Sequence, residues 1–201
     1  MTQPMRLDGR DVLLIIDVQN DFLPGGALAV PHADSIVPIL NRYIELFSRQ
    51  HVPIIATRDW HPLNHSSFSA NGGMWPTHCV QNTFGAEFSA QLALPTEVVV
   101  IDKGTAIDDA GYSGFEQPQL QSTLEHFRCR RIFIGGLATD YCVLQTAAAA
   151  CRAGYKVVLL SDAMRAVDVK PGDGERALAQ LQQLGAISIT LVALHTDNLI
   201  A

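Results

Sequence analysis

Six short apolar runs are spaced along the chain, and segments with helical periodicity separate several of them. We predict strands at 12–18, 52–57, 97–102, 131–135, 156–161 and 187–192. Continuous apolar runs of this length are typical of strands that are buried on both faces of a parallel sheet. The alternation with helical segments predicts βαβ crossovers. The expected fold is therefore an α/β domain with a mostly parallel six-stranded sheet and helices on both faces.

Two apolar stripes with a spacing of three or four residues predict amphipathic helices. The first consists of Ile36, Leu40, Ile44 and Phe47, and the second of Leu178, Leu181 and Leu184. Gly185 follows the second stripe directly, and glycine commonly ends helices. Both helices offer an apolar face that can cover the sheet.

Composition and charge restrict the class of partner. The chain has 201 residues, 48% of them hydrophobic, and a formal net charge of −6. This length predicts one domain over residues 1–201. The negative balance argues against nucleic acid and favours a small polar or neutral substrate. Without a signal core near the start or an apolar run that could span a bilayer, we expect a cytoplasmic protein that does not bind membranes.

Cys142 lies where a third predicted helix begins. Thr139 or Asp140 can cap this helix, and Gly154 suits its end. At a helix N-terminus the dipole and the free backbone N–H groups favour a thiolate, the nucleophilic form of cysteine. An arbitrary cysteine is usually an inert buried thiol, but this position after a strand and a turn favours chemistry. We therefore predict a nucleophile with a lowered pKa at Cys142.

Two further reactive side chains come at the ends of predicted strands. Asp17 ends the first apolar run, and Lys103 follows the third. The carboxyl ends of parallel strands meet at one sheet edge, where ligands bind in such folds. Asp17 alone could cap a turn and Lys103 alone could be a surface lysine, but with Cys142 they form the pattern of a catalytic site. Lys103 would lower the pKa of the thiol further.

A second group of candidate side chains lies in a long segment without clear periodicity. It contains Asp59, His61, His65 and His78. Carboxylate and neutral imidazole are suitable ligands for zinc, iron or manganese. Histidines in loops are often merely exposed to solvent, and an Asp-x-His pair is a weak signal. Four candidates within about twenty residues favour a metal site.

These motifs resemble those of the nicotinamidases, also called pyrazinamidases, in the isochorismatase-like cysteine hydrolase superfamily. The matching segments are IDVQNDF at 16–22, GGAL at 25–28, DWHP at 59–62 with His65, WPTHCVQ at 75–81, KG at 103–104, YSGF at 112–115 and GGLATDYCV at 135–143. The Asp, Lys and Cys set marks the amidases of the superfamily. The metal segment and the YSGF stretch point to nicotinamidases among them. The resemblance implies an isochorismatase-like fold with Rossmann-like layering.

The resemblance also implies roles for the catalytic side chains. Cys142 would be the nucleophile, and Asp17 would take its proton and pass one to the leaving amine. Lys103 would be the electrostatic partner of both. A cis peptide at Leu137–Ala138 would direct the N–H of Ala138, together with that of Cys142, at the carbonyl oxygen.

For the second group, the resemblance implies one divalent metal ion, with zinc preferred over iron or manganese. The ligands would be Asp59, His61 and His78. His65 would be a further ligand in some members, and in others a group that supports the ligands or faces the substrate. The ion would bind the pyridine nitrogen of nicotinamide. The ring of the substrate would lie against Phe22 and Trp75.

The implied reaction is hydrolysis of nicotinamide, and also of pyrazinamide, through a cysteine thioester as a step of NAD salvage. The fold analogy also suggests a homo-oligomer of a size that the sequence does not set. One alternative is another hydrolase of the superfamily, acting on a different small amide or, in the isochorismatase branch, on a vinyl ether. That branch lacks the thiol, so Cys142 argues against it. The other alternative is a non-catalytic binding module, because a fold does not fix a function.

Overall fold

One parallel sheet forms the centre of the molecule. The computed structural model describes residues 5–194 of the chain. The strands are β1 (Asp11–Ile16), β2 (Ile54–Asp59), β3 (Val99–Lys103), β4 (Arg131–Leu137), β5 (Lys156–Arg165) and β6 (Ile187–Ile189). Their order is β3-β2-β1-β4-β5-β6, and every neighbouring pair is parallel. The predicted six-stranded parallel sheet is therefore confirmed.

Within residues 5–194, four α-helices cover the two faces of this sheet: α1 (Val37–Arg49), α2 (Pro118–His126), α3 (Leu144–Arg152) and α4 (Asp173–Gln183). Strand β1 is buried along its whole length and alternates between the two layers. Leu13 belongs to the core that contains α1, whereas Leu14 belongs to the core that contains α2, α3 and α4. Helices on both faces are thus also confirmed. Among residues 5–194, no helix has the length and apolar character needed to cross a membrane.

The strand order places a topological switch at the middle of the sheet. Strand β1 lies between β2 and β4, so the chain winds away from β1 in opposite directions. A crevice forms at the carboxyl ends of the strands where such a reversal occurs. At this end Gly136 pairs with Ile16 and has a φ of 119°. A Cβ atom at Gly136 would lie only 2.1 Å from the carbonyl oxygen of Ile16, so glycine is required there.

Two differences from the sequence prediction concern the edges of the fold. Helix α2 was not predicted, because it buries only Leu120 and Leu124 and leaves its other positions largely polar. Strand β6 ends at Ile189 rather than at residue 192, and a short 3₁₀ turn at Leu191–Ala193 follows it. The apolar run at 187–192 therefore extends beyond the residues that form hydrogen bonds with β5.

Candidate active site and metal site

The ammonium group of Lys103 lies at the centre of the crevice and is fully buried. Its Nζ is 2.8 Å from Oδ2 of Asp17 and 3.4 Å from Sγ of Cys142. It also donates hydrogen bonds to a carboxylate oxygen of Asp59 and, at 2.7 Å, to the carbonyl oxygen of Gly111. The structure thus brings together the acid after β1, the lysine that ends β3 and the thiol after β4.

Burial dominates the proton affinity of Asp17. It raises the pKa of this carboxyl group to about 6, against the opposing effects of Lys103 and Thr57. The hydroxyl of Thr57 donates a hydrogen bond of 2.7 Å to Oδ1 of Asp17. The other oxygen, Oδ2, is buried and pairs with Lys103 without a well-aligned hydrogen bond. A carboxyl group is suited to accept and return a proton when its pKa is near neutral and one of its oxygens is not occupied by a well-aligned hydrogen bond.

The charges of two carboxylates keep Lys103 protonated. Desolvation by burial disfavours the ammonium, but Asp17 and Asp59 outweigh it and raise the pKa of Lys103 well above its usual value. Desolvation likewise acts against the carboxylate of Asp59, yet Lys103 and His61 lower the pKa of that group overall. The centre of the site therefore holds one permanent ammonium between two carboxyl groups.

Two predictions about Cys142 are wrong. The residue lies in a π-helical turn, Thr139–Val143, that has no side-chain cap. The carboxylate of Asp140 instead accepts hydrogen bonds from the N–H groups of Val167 and Asp168. Burial raises the pKa of the Cys142 thiol well above its usual value, and the opposing effect of Lys103 does not reverse this. The thiol is therefore neutral before reaction and requires a base.

Three buried side chains form a candidate metal site next to Lys103. One ligand atom from each of Asp59, His61 and His78 lies within 4.8 Å of the other two. Nδ1 of His61 is 2.9 Å from the carbonyl oxygen of Gly104, and Nδ1 of His78 is 2.8 Å from that of Pro76. These carbonyls fix the proton on Nδ1 and leave Nε2 of each ring free to bind an ion. Burial also lowers the pKa of His78, so its ring is neutral, as a ligand must be. This donor set fits a divalent transition metal.

His65 lies outside this group of three. Its Nδ1 is 2.7 Å from Oγ of Ser67, and its Nε2 is 3.0 Å from the carbonyl oxygen of Asp109. The ring packs against that of His61 with a centroid distance of 4.1 Å. The ring of His65 thus packs against the ring of His61 and helps to hold it in position.

Gln19 joins the metal group to the turn that carries Asp17. Its fully buried side-chain amide accepts a hydrogen bond of 2.8 Å from the N–H of Asp59 and donates one of 2.7 Å to the carbonyl of the same residue. A third bond, of 2.9 Å, goes to the carbonyl of Ala86. Sequence reasoning assigned no role to Gln19, although its place two residues after Asp17 in the IDVQNDF motif was the available signal.

A small cavity lies between the thiol and the candidate metal site. It is lined by Phe22, Leu28, Val30, Asp59, Trp75, His78, Tyr112, Ala138, Tyr141, Cys142 and Val167. The indole N–H of Trp75 donates a 2.9 Å hydrogen bond to the hydroxyl of Tyr112, and Tyr141 packs against Trp75 edge-on. Phe22, Trp75 and Ala138 were expected at the substrate, and all three line the cavity. Tyr112 and Tyr141 were missed, although they lie in the YSGF and GGLATDYCV motifs.

The main chain next to the nucleophile has the conformation that the resemblance implied. The peptide bond between Leu137 and Ala138 is cis. It joins the end of β4 to the π-helical turn that carries Cys142.

Comparison with known proteins gives consistent matches over most of the chain. The family described as Isochorismatase domain matches residues 11–192. The nicotinamidase of Escherichia coli K12 is 36% identical over 200 residues, which cover 89% of this chain and 94% of the relative. The crystal structure of the pyrazinamidase of Pyrococcus horikoshii in complex with zinc is similar with a TM-score of 0.87 and 46% identity, covering 90% of this chain and 99% of that one. The structure of PnC1 from L. infantum in complex with nicotinate gives a TM-score of 0.86 and 36% identity, with coverages of 96% and 98%.

Proposed function

The chain belongs to the Isochorismatase domain family, and from this premise we propose that it is a nicotinamidase, which hydrolyses nicotinamide to nicotinic acid and ammonia. The observation that carries the proposal is the group formed by Asp17, Lys103 and Cys142, whose thiol lines a small aromatic cavity. Similar chains named nicotinamidase or pyrazinamidase support the choice of substrate. Pyrazinamide, another small planar ring amide, is the second substrate that we propose.

The first half of the reaction forms a thioester. Asp17 takes the proton of the neighbouring Cys142 thiol, and Sγ attacks the carboxamide carbon. Lys103 stabilises the developing thiolate, 3.4 Å away, while the carbonyl electrons move onto oxygen. We assign stabilisation of that oxyanion to the N–H groups of Ala138 and Cys142. Asp17 then protonates the amine nitrogen, the C–N bond breaks and ammonia leaves.

The second half of the reaction returns the enzyme to its starting state. Asp17, ionised again, takes a proton from a water molecule whose oxygen attacks the thioester carbon. The C–S bond breaks, nicotinic acid leaves and Asp17 returns its proton to the sulfur of Cys142. The pKa of Asp17 near 6 allows it to alternate between base and acid at neutral pH.

We propose that Asp59, His61 and His78 hold one divalent ion, with zinc as the first candidate. Their carboxylate and imidazole donors suit zinc, and the similar pyrazinamidase of Pyrococcus horikoshii was solved with zinc. When bound, the ion supplies a Lewis acid that can coordinate a ring nitrogen and so orient the substrate. Two of its proposed ligands, Asp59 and His78, line the same cavity as Cys142.

Removing the metal tests the substrate and the metal together. Purified protein should release ammonia from nicotinamide, lose this activity after treatment with a chelator, and regain it when zinc, iron or manganese is returned. The physical reason is that the aromatic cavity alone fixes the plane of the ring but not its rotation within that plane. Ammonia is measured with a coupled assay, and pyrazinamide is assayed in parallel. Activity that survives complete metal removal would contradict the orienting role, and no ammonia from any metal-loaded sample would contradict the nicotinamidase proposal.

The pH dependence of kcat/KM should have an acidic limb near pH 6. Burial raises the pKa of Asp17, so this group is protonated below about pH 6 and cannot accept the proton of Cys142. Activity should therefore fall as pH decreases from 7 to 5. In Thr57→Val, loss of the hydroxyl that stabilises the carboxylate should move the limb to higher pH. A limb that does not move in this variant would assign the titration to another group.

Tyr112→Phe should weaken substrate binding more than it slows the chemistry. The substitution leaves the buried indole N–H of Trp75 without its 2.9 Å acceptor, which costs about 1–3 kcal/mol and loosens the ring wall. We expect KM for nicotinamide to rise by roughly fivefold or more with kcat within about twofold of wild type. Tyr155→Phe is the matched control, because Tyr155 packs against Phe115 and is not a cavity residue. Equal KM values for the two variants would exclude a role of Tyr112 in positioning Trp75.

A further inference from the structure

Two groups of metal-binding side chains adjoin each other in this site, and Asp59 belongs to both. The first contains Asp59, His61 and His78, and the second contains Asp17, Asp59 and Cys142. In each group one ligand atom from every residue lies within 4.8 Å of the others, and all the residues are buried. Geometry alone therefore does not select one group over the other for an ion.

The chemistry of the donors also fails to select the first group. Cysteine sulfur is among the strongest protein ligands for zinc, and a bound ion deprotonates a coordinating thiol outright. Oδ2 of Asp17 is buried and lacks a well-aligned hydrogen bond, so the second group has an oxygen available for an ion. An ion captured there would coordinate Cys142, and the sulfur would no longer be a free nucleophile. Some feature of the chain must keep the ion away from Cys142.

The feature that separates the two groups is the ammonium of Lys103. Its nitrogen contacts Asp17, Asp59 and Cys142, which are all three members of the second group. It supplies there the positive charge that a metal ion would supply, and it repels a further cation. In the first group the ammonium contacts only the shared carboxylate of Asp59, through Oδ1, whereas Nε2 of His61 lies 3.6 Å from the other oxygen, Oδ2.

We propose that Lys103 excludes metal ions from the catalytic group and thereby confines the resident ion to Asp59, His61 and His78. This inference rests on the proposed function for the assignment of the first group as the metal site. Lys103 would then have a second role besides stabilising the thiolate. Its ammonium group is a cation beside the nucleophile that, unlike a metal ion, cannot form a bond to sulfur. Lys103 is then a selectivity residue that determines which side of Asp59 a metal occupies.

Cobalt titration of the metal-free, reduced protein tests this proposal, because Co²⁺ bound to a thiolate has a charge-transfer absorption in the near ultraviolet. Wild-type protein should bind one Co²⁺ per chain without that absorption. Lys103→Ala should bind two Co²⁺ per chain, and the second should produce the thiolate band. The band should disappear in the double variant Lys103→Ala with Cys142→Ser. Lys156→Ala, which removes an exposed lysine, is the matched control and should behave like wild type.

Two further measurements decide the outcome if Lys103→Ala does not fold. Lys103→Gln removes the charge but keeps hydrogen-bond donors, and it should show the same second ion and thiolate band. The wild-type titration is decisive by itself, because a thiolate band at the first equivalent of Co²⁺ would overturn the proposal. A folded charge-free variant that binds a single ion and shows no band would also overturn it. Neither result affects the nicotinamidase proposal, which depends on the separate measurement of ammonia from wild-type protein.

Discussion

Replacing Cys142 with alanine should lower ammonia release from nicotinamide by roughly 10⁴-fold or more, because loss of a nucleophile removes the whole covalent pathway. The other three cysteines are not cavity residues. Cys79 is buried and directs its sulfur at the carbonyl of Gly85, and burial raises its pKa. None of them is placed to replace the missing thiol.

The matched control is Cys129→Ala, which removes a half-buried thiol with no contact to the cavity and should keep turnover within about twofold of wild type. Mass spectrometry after acid quenching of wild-type turnover should detect a nicotinoyl adduct on the peptide that contains Cys142. Substantial residual turnover in Cys142→Ala, or an adduct on another residue, would place the nucleophile elsewhere.

Gly136→Ala should destabilise the fold more than any other single methyl addition that we consider. The new Cβ atom would lie 2.1 Å from the oxygen and 2.7 Å from the nitrogen of Ile16, and the φ of 119° is itself unfavourable for alanine. Ile16 ends the central strand β1, and its main chain cannot shift away from the new methyl group without moving Asp17. We expect a loss of about 4 kcal/mol in the free energy of unfolding, and a fall of about 10 °C in the melting temperature.

The effect of backbone conformation must be separated from that of close approach, and Gly154→Ala allows this. Gly154 also has a positive φ, of 88°, but no atom lies within 4 Å of a Cβ built there. This control should cost only about 1–2 kcal/mol. Thermal unfolding followed by circular dichroism compares the two variants. If both lose the same stability, the contact between β1 and β4 at Gly136 is not the constraint that the geometry indicates.

The elements of the fold that could be predicted from the sequence are the ones that are most buried. Strands β1, β4 and β5 were found from sequence because their apolar runs are buried and continuous. Helix α2 escaped detection because two leucines are too few to mark a stripe. The residues after Ile189 were wrongly included in β6, since apolar character does not report hydrogen bonding.

At the site, local sequence identified the reactive groups but not their surroundings. The position of Cys142 near a helix start suggested a low pKa, whereas its burial, which is a tertiary property, raises that pKa instead. Thr139 or Asp140 was expected to cap the helix, yet the carboxylate of Asp140 binds a segment about 27 residues away that no local pattern reveals. Tyr112 lies 37 residues after Trp75 in the sequence, and only tertiary structure brings its hydroxyl to the indole N–H of Trp75. Long-range packing decided each of these cases.

The amide of Gln19 has a consequence for how this enzyme family can vary. It fixes the spacing between Asp17 and Asp59 directly, through the main chain of Asp59, rather than through the long segment that follows. Residues exposed within that segment, such as Leu63 and Met74, can therefore differ among relatives without altering the separation of base and metal ligand. Natural substitutions should accumulate at such exposed positions, while Phe68, which is buried between them against the rings of His61 and His78, stays constant.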